Sequence, residues 1–178
     1  RNQGVTWDEI TPKEASSILG VEFIDPQHGW LVSSTTNGEL SIHQTVDGGQ
    51  NWQAYPLPTS AQDVAAAYLD FIDGQTGWVA LKMVSGSSFS VGQLFVTQDG
   101  SHSWEERSIP LGEPVQFSDL LHGWVAGGPA GDQYYATRDG GHTWKSVTQQ
   151  AYTLTSAPNT ISNLPENVVR ASLADQNS

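Results

Sequence analysis

Thr45-Val46-Asp47-Gly48-Gly49-Gln50-Asn51-Trp52 decides how this chain is read, because the same eight-residue pattern returns twice. The further copies are Thr97-Gln98-Asp99-Gly100-Ser101-His102-Ser103-Trp104 and Thr137-Arg138-Asp139-Gly140-Gly141-His142-Thr143-Trp144. An Asp at the head of a turn folds its carboxylate onto following backbone N–H groups, and the glycine after it accepts the positive φ that a tight hairpin demands. The indole that closes the pattern covers the turn and supplies apolar contact that a short hairpin otherwise lacks. The repeated aspartates, with Gly49 and Gly141, are therefore expected to build turns and not to catalyse. In the middle copy Ser101 replaces the second glycine, which leaves only the backbone geometry of that turn open.

Between these turns lies a second signature, Phe-x-Asp-x-x-x-Gly-Trp. It occurs as Phe23, Asp25, Gly29, Trp30, then Phe71, Asp73, Gly77, Trp78, then Phe117, Asp119, Gly123, Trp124. Around it, runs such as Val21 to Asp25 and Trp30 to Ser34 alternate apolar and polar residues, which is the period of a strand. Asp25, Asp73 and Asp119 are expected to cap the turn that precedes each Gly-Trp strand. One full unit reads strand, turn, Gly-Trp strand, variable loop, strand, Asp turn, Trp strand. At roughly 40 to 50 residues it has the length of a four-stranded propeller blade.

The Asp-Gly turn resembles the Asp-box, or bacterial neuraminidase repeat, of sialidase-type β-propellers. With its Phe-x-Asp-x-x-x-Gly-Trp companion, the chain is most similar to the photosystem II stability/assembly factor-like family. That resemblance implies an all-β propeller of four-stranded blades and a non-enzymatic scaffold that displays loops to a protein partner. The family's arginine-rich docking patch has no counterpart here, because the chain has only seven Lys and Arg residues in all. The photosynthetic role in particular is therefore not carried over. The alternative is a carbohydrate-active propeller of sialidase or xyloglucanase type, with carbohydrate as ligand and part of the catalytic set outside this sequence.

Along the chain the repeat predicts a blade remnant at 1–10, blades at 19–56, 67–110 and 115–148, a link at 149–166 and the start of a further blade at 167–178. The first and last pieces read as an orphan outer strand ending a degenerate Asp-box at Trp7 and an orphan inner strand around Leu173. Remaining blades are expected from the same chain or from another.

Composition sets the outer limits. There are no cysteines and one methionine, alongside many small polar residues, a profile common in exported bacterial β-proteins. We therefore expect an extracytoplasmic protein, whether secreted, periplasmic or on the cell surface. The net charge of −12 argues against nucleic acid and anionic membrane surfaces as partners, and no direct membrane insertion is expected of this stretch of chain. His28 and His122 occupy matching slots before Gly-Trp, His102 and His142 match within the Asp-box, and His43 stands alone. None of these spacings is a metal-ligand set, so no metal and no cofactor are expected.

An enzyme would have to use residues that break the repeat. Glu22 and Asp70 hold equivalent positions one residue before the inner Phe, with Gln116 at the same place in the third copy. These three could line a central channel, and Glu22 and Asp70 are read as a polar channel wall in preference to an acid/base pair for glycoside hydrolysis. Arg107 and Arg138 lie in or after Asp-boxes, away from any such mouth. Specificity is expected in the loops that differ between units, Thr35 to Gly38, Val84 to Gly92 and Gly127 to Asp132, and in the links Pro56 to Ala66 and Thr148 to Glu166.

Overall fold

The computed structural model describes residues 8–147 except Thr36, Gln62 and 87–89. Of the expected remnant 1–10, residues 1–7 lie outside the described residues and 8–10 form no strand, and the link 149–166 and the further blade at 167–178 also lie outside the described residues. Every regular element among the described residues is a β-strand. Twelve strands form three four-stranded antiparallel sheets, each in plain sequence order. The first contains β1 (Ser17–Phe23), β2 (Gly29–Ser34), β3 (Leu40–Thr45) and β4 (Gln53–Pro56). The second contains β5 (Val64–Phe71), β6 (Gly77–Met83), β7 (Gly92–Thr97) and β8 (Glu105–Arg107). The third contains β9 (Val115–Phe117), β10 (Gly123–Gly127), β11 (Gln133–Thr137) and β12 (Lys145–Ser146).

Strands β1 and β5 start earlier than the alternation suggests, at Ser17 and Val64. The register shifts between Ile18 and Gly20 in the first and between Val64 and Ala66 in the second. An extra residue in one strand reverses which face the following side chains take, so the period of two is lost at the bulge.

The sheets pack face to face in series. Trp30, Val32 and Ile42 of the first sheet meet Phe71, Val79, Leu81 and Phe95 of the second in one core cluster. Trp78, Ala80, Leu94 and Val96 of the second meet Val115, Phe117 and Val125 of the third in another. Strand β6 therefore feeds both, with Val79 and Leu81 to one side and Trp78 and Ala80 to the other. All four are fully buried. A strand covered on both faces reads as a continuous apolar run, and Gly-Trp-Val-Ala-Leu is such a run. The outer strands β4, β8 and β12 have few partners and are mostly exposed.

Candidate functional site

Each Asp-box is a closed hydrogen-bonded clasp. In the first, Thr45 Oγ1 donates to Asp47 Oδ1 at 2.9 Å and accepts the Gly49 N–H at 2.9 Å. Asp47 Oδ1 also accepts the Asn51 N–H at 2.9 Å, and Oδ2 takes the Asn51 side-chain amide at 2.7 Å. Thr97, Asp99, Ser101 and Ser103 repeat the arrangement, with Ser103 Oγ donating to Asp99 Oδ2 at 2.5 Å. Thr137, Asp139, Gly141 and Thr143 repeat it again. Both residues after each Asp have positive φ: Gly48 74° and Gly49 86°, Gly100 68° and Ser101 76°, Gly140 68° and Gly141 91°. Ser101 thus keeps the left-handed geometry of the glycine it replaces. The threonine that opens each box was quoted in the pattern without being given a role. Its invariance across three copies was the available signal, and its buried hydroxyl holds the clasp together.

The β1–β2, β5–β6 and β9–β10 turns are built the same way three times. Asp25 Oδ1 accepts the N–H groups of Gln27 and His28, Asp73 Oδ1 those of Gln75 and Thr76, and Asp119 Oδ1 those of Leu121 and His122. His28 and His122 each return a ring contact to the aspartate of their own turn, at 2.7 and 3.0 Å. Backbone N–H donors hold the Asp25 and Asp119 carboxyls at about 2, well below the usual range. In the boxes, hydrogen bonds from Ser103 and Thr143 hold Asp99 and Asp139 at about 2, and those from Asn51 depress Asp47. The two turn types meet within each sheet: Gly48 donates to Gln27 O, Gly100 to Gln75 O and Gly140 to Leu121 O, each at 2.9 Å.

The aromatic residues of the two signatures form a relay between sheets. Phe23, Phe71 and Phe117 lie opposite Gly29, Gly77 and Gly123 on the neighbouring strand. Each ring covers its glycine so closely that a Cβ there would collide with it. On its other edges, each Phe meets the box indole of its own sheet in a T-shaped contact, Phe23 with Trp52, Phe71 with Trp104 and Phe117 with Trp144. Trp30 stacks on Phe71 at 3.8 Å and Trp78 on Phe117 at 3.9 Å, both nearly parallel. Trp30 and Trp78 are 0% exposed, whereas Trp124, the third of the set, is 46% exposed. Trp52 and Trp144 donate their indole N–H to the carbonyls of Ile10 and Ser108.

Glu22, Asp70 and Gln116 share one register position, opposite Trp30, Trp78 and Trp124. Glu22 Oε2 accepts the Phe71 N–H at 3.0 Å, and Asp70 Oδ2 accepts the Phe117 N–H at 2.6 Å. Each carboxylate therefore reaches from its own inner strand to the inner strand of the next sheet. Gln116 Oε1 instead accepts the indole N–H of Trp124 at 3.0 Å. Burial pushes the Glu22 carboxyl up to about 7 against the lowering effect of the Phe71 N–H, with the Asp70 charge adding to the rise. Burial also raises Asp70, again opposed by its backbone donor.

Sequence reasoning did not find the buried pair Ser33 and His43, whose Oγ and Nε2 are 2.9 Å apart. Their register equivalents in the second sheet are Leu81 and Phe95, so a polar contact stands where the neighbouring blade is apolar. Comparing His43 with Phe95 and not with other histidines was the available signal. Desolvation holds the His43 imidazole below its usual pKa.

Among the basic residues, Lys82 pairs with Glu113 at 2.8 Å and Arg107 with Glu105. Arg138 and Lys145 border an open hollow of about 470 Å³ beside the third box. Among the described residues no three His, Asp or Glu side chains converge to hold a metal ion. The β6–β7 loop is described at Val84–Gly86 and from Ser90 onward, and 87–89 lie outside the described residues.

Serial four-stranded sheets, three Asp-box clasps and the Trp-to-Phe relay define an Asp-box β-propeller. Within that class the chain is similar to the photosystem II assembly factor-like family. A family model described as "Photosynthesis system II assembly factor YCF48" matches residues 1–84. The "Photosystem II assembly lipoprotein Ycf48" of Synechococcus sp. (strain CC9902) is 31% identical over 152 residues, 82% of this chain and 41% of the relative. The "Photosystem II assembly protein Ycf48" of Synechococcus sp. (strain JA-2-3B'a(2-13)) is 28% identical and aligns with 83% of this chain and 54% of its own length. The chain thus spans about half the length of the curated relatives it matches. Among solved structures, "YCF48 bound to D1 peptide" superposes with a TM-score of 0.55 at 25% identity, covering 78% of this chain and 41% of that one. "YCF48 from Cyanidioschyzon merolae" gives 0.52 at 21% identity over 79% of this chain and 39% of that one, a likeness of fold.

Proposed function

We propose that this chain is part of a non-enzymatic, extracytoplasmic assembly scaffold in which a rigid propeller presents its loops to a protein partner. The observation that supports it most is the likeness, over 82% of the chain, to a protein named as an assembly lipoprotein. That name also supports an exported location. The partner we infer is an extended peptide segment of a client protein, by analogy with the relative whose structure is titled as bound to a D1 peptide. The site chemistry agrees with this reading. The box aspartates engage both oxygens within their own turns, and the turn aspartates accept backbone N–H groups of theirs, so their hydrogen bonds serve the turns. The competing reading, a carbohydrate-active propeller, draws on the raised carboxyls of Glu22 and Asp70. Each of those carboxylates, however, accepts a backbone N–H of the adjoining sheet.

Fluorescence anisotropy with a labelled D1 peptide tests the proposal, using a scrambled peptide as the reference. Saturable binding that survives Glu22→Gln and Asp70→Asn, and that weakens when Val84–Gly86 and Ser90–Gly92 are replaced, is the expected outcome. Turnover of sialoside or xyloglucan oligosaccharides that those two carboxylate substitutions abolish would overturn it.

A further inference from the structure

Two features of the inner strands stand apart from the turn chemistry. Strands β1 and β5 each send one half-buried carboxylate to the backbone of the next inner strand, Glu22 to Phe71 N–H and Asp70 to Phe117 N–H. Among the described residues, neither carboxylate has a Lys, Arg or His partner. Lys82 is engaged by Glu113 and Arg107 by Glu105. Among the described residues, Glu22 lies opposite Trp30 on β2 and beside Phe71 and Asp70 on β5, and the charge acting on it is that of Asp70. Around Asp70 stand Trp78 on β6, Phe117 on β9 and Glu22 on β1. We propose that Glu22 and Asp70, each bridging to the backbone of the next inner strand, form a proton-sensitive seam that clamps β1, β5 and β9 together while the carboxyls are protonated and loosens as they ionise.

The physical basis is a competition between one hydrogen bond and two penalties. An ionised carboxylate accepts the peptide N–H more strongly than a neutral one does. It must also be held half out of water and close to a like charge. For Glu22 the penalties win, and its carboxyl titrates at about 7. A protonated carboxyl keeps a carbonyl oxygen for the N–H, so the clamp survives neutralisation while the repulsion vanishes. The third sheet carries a natural counterpart, because Gln116 puts an uncharged amide at the same register position. This seam does not depend on the functional reading above.

The sign follows from linkage. A carboxyl raised in the native state binds its proton more tightly there than in the unfolded chain. Its contribution is complete below the ordinary carboxylate range and is lost as the pH rises through about 7 for Glu22. A shift of one pKa unit is a tenfold change in the unfolding equilibrium, and half-exposure reduces the full effect through solvent screening. We expect the unfolding constant of the full chain to rise about tenfold from about pH 5 to about pH 8 through Glu22, with Asp70 acting in the same direction.

Equilibrium urea unfolding of the full chain at fixed ionic strength, read by far-UV circular dichroism, tests this with wild type and the double substitution E22Q/D70N. The expected result is that the double variant gains more stability, or loses less, than wild type as the pH rises, because it keeps the opposing contribution of His43 and lacks that of the two carboxyls. Equal slopes in the two proteins would overturn the proposal. Should the variant fail to fold, carbon-13 titration of the Glu22 carboxyl in wild type decides. A midpoint near 7 supports the seam, and one near the ordinary glutamate value of about 4.3 refutes it.

Discussion

Replacing Trp78 with alanine should be among the most damaging single changes available to this chain, and the structure sets its size. The side chain is 0% exposed and lies parallel to Phe117 at 3.9 Å. A tryptophan buries about 150–250 Å², and truncation to a Cβ forfeits most of it, about 4 kcal/mol at roughly 25 cal/mol per Å². The cavity left between sheets and the lost ring stacking act in the same direction, which places the cost at about 3–5 kcal/mol. Trp124 provides the internal control, since it occupies the same register position and is 46% exposed. Its truncation should cost less than about 2 kcal/mol on the same area scale. Urea denaturation of wild type, Trp78→Ala and Trp124→Ala, followed by far-UV circular dichroism so that no indole reports on its own removal, gives both numbers. Equal costs for the two substitutions, or a cost below about 1 kcal/mol for Trp78, would refute the relay as the main tie between sheets.

Ser101→Gly should stabilise the protein by about 1 kcal/mol, because it relieves a left-handed residue with a side chain, partly offset by the freedom glycine gains in the unfolded chain. Ser101 sits at φ 76° with its side chain buried, and a lower midpoint in thermal or urea melts would refute this. Acid should open the molecule from the turns. Asp25, Asp99, Asp119 and Asp139 titrate at about 2, below their unfolded value, so the stability they confer is present above about pH 4 and is lost as the pH falls toward 2. A melting temperature that stays constant from about pH 4 to about pH 2 would contradict that assignment.

Much of this architecture was legible in the sequence because its devices are local. The Asp-box spans eight residues, and every partner in its clasp lies within four positions of another, so spacing alone exposes it. The Phe-to-Gly span works likewise, with the ring covering a glycine on the adjacent strand of the same hairpin. What escaped depends on residues of different repeats meeting. Glu22 finds Phe71 and Asp70 finds Phe117 across 49 and 47 positions, and no local pattern announces a side chain that caps the next sheet's backbone. The early starts of β1 and β5 were hidden for another reason, since a bulge erases the alternation that a strand reading uses. The Ser33 and His43 contact hid because a lone buried polar pair has no periodicity at all.

The Trp-to-Phe relay has a genetic consequence. Each sheet-to-sheet contact is written half in one repeat, at Trp30 or Trp78, and half in the next, at Phe71 or Phe117. A duplication cut between β4 and β5 copies a whole sheet, yet the new copy arrives with one donor indole and one acceptor ring already suited to any sibling. Insertion therefore adds one interface of the existing kind without requiring a second, compensating change. Repeats that share such contact residues can lengthen or shorten in evolution by whole units, and a substitution that personalises one indole or one ring fixes that unit's place in the order.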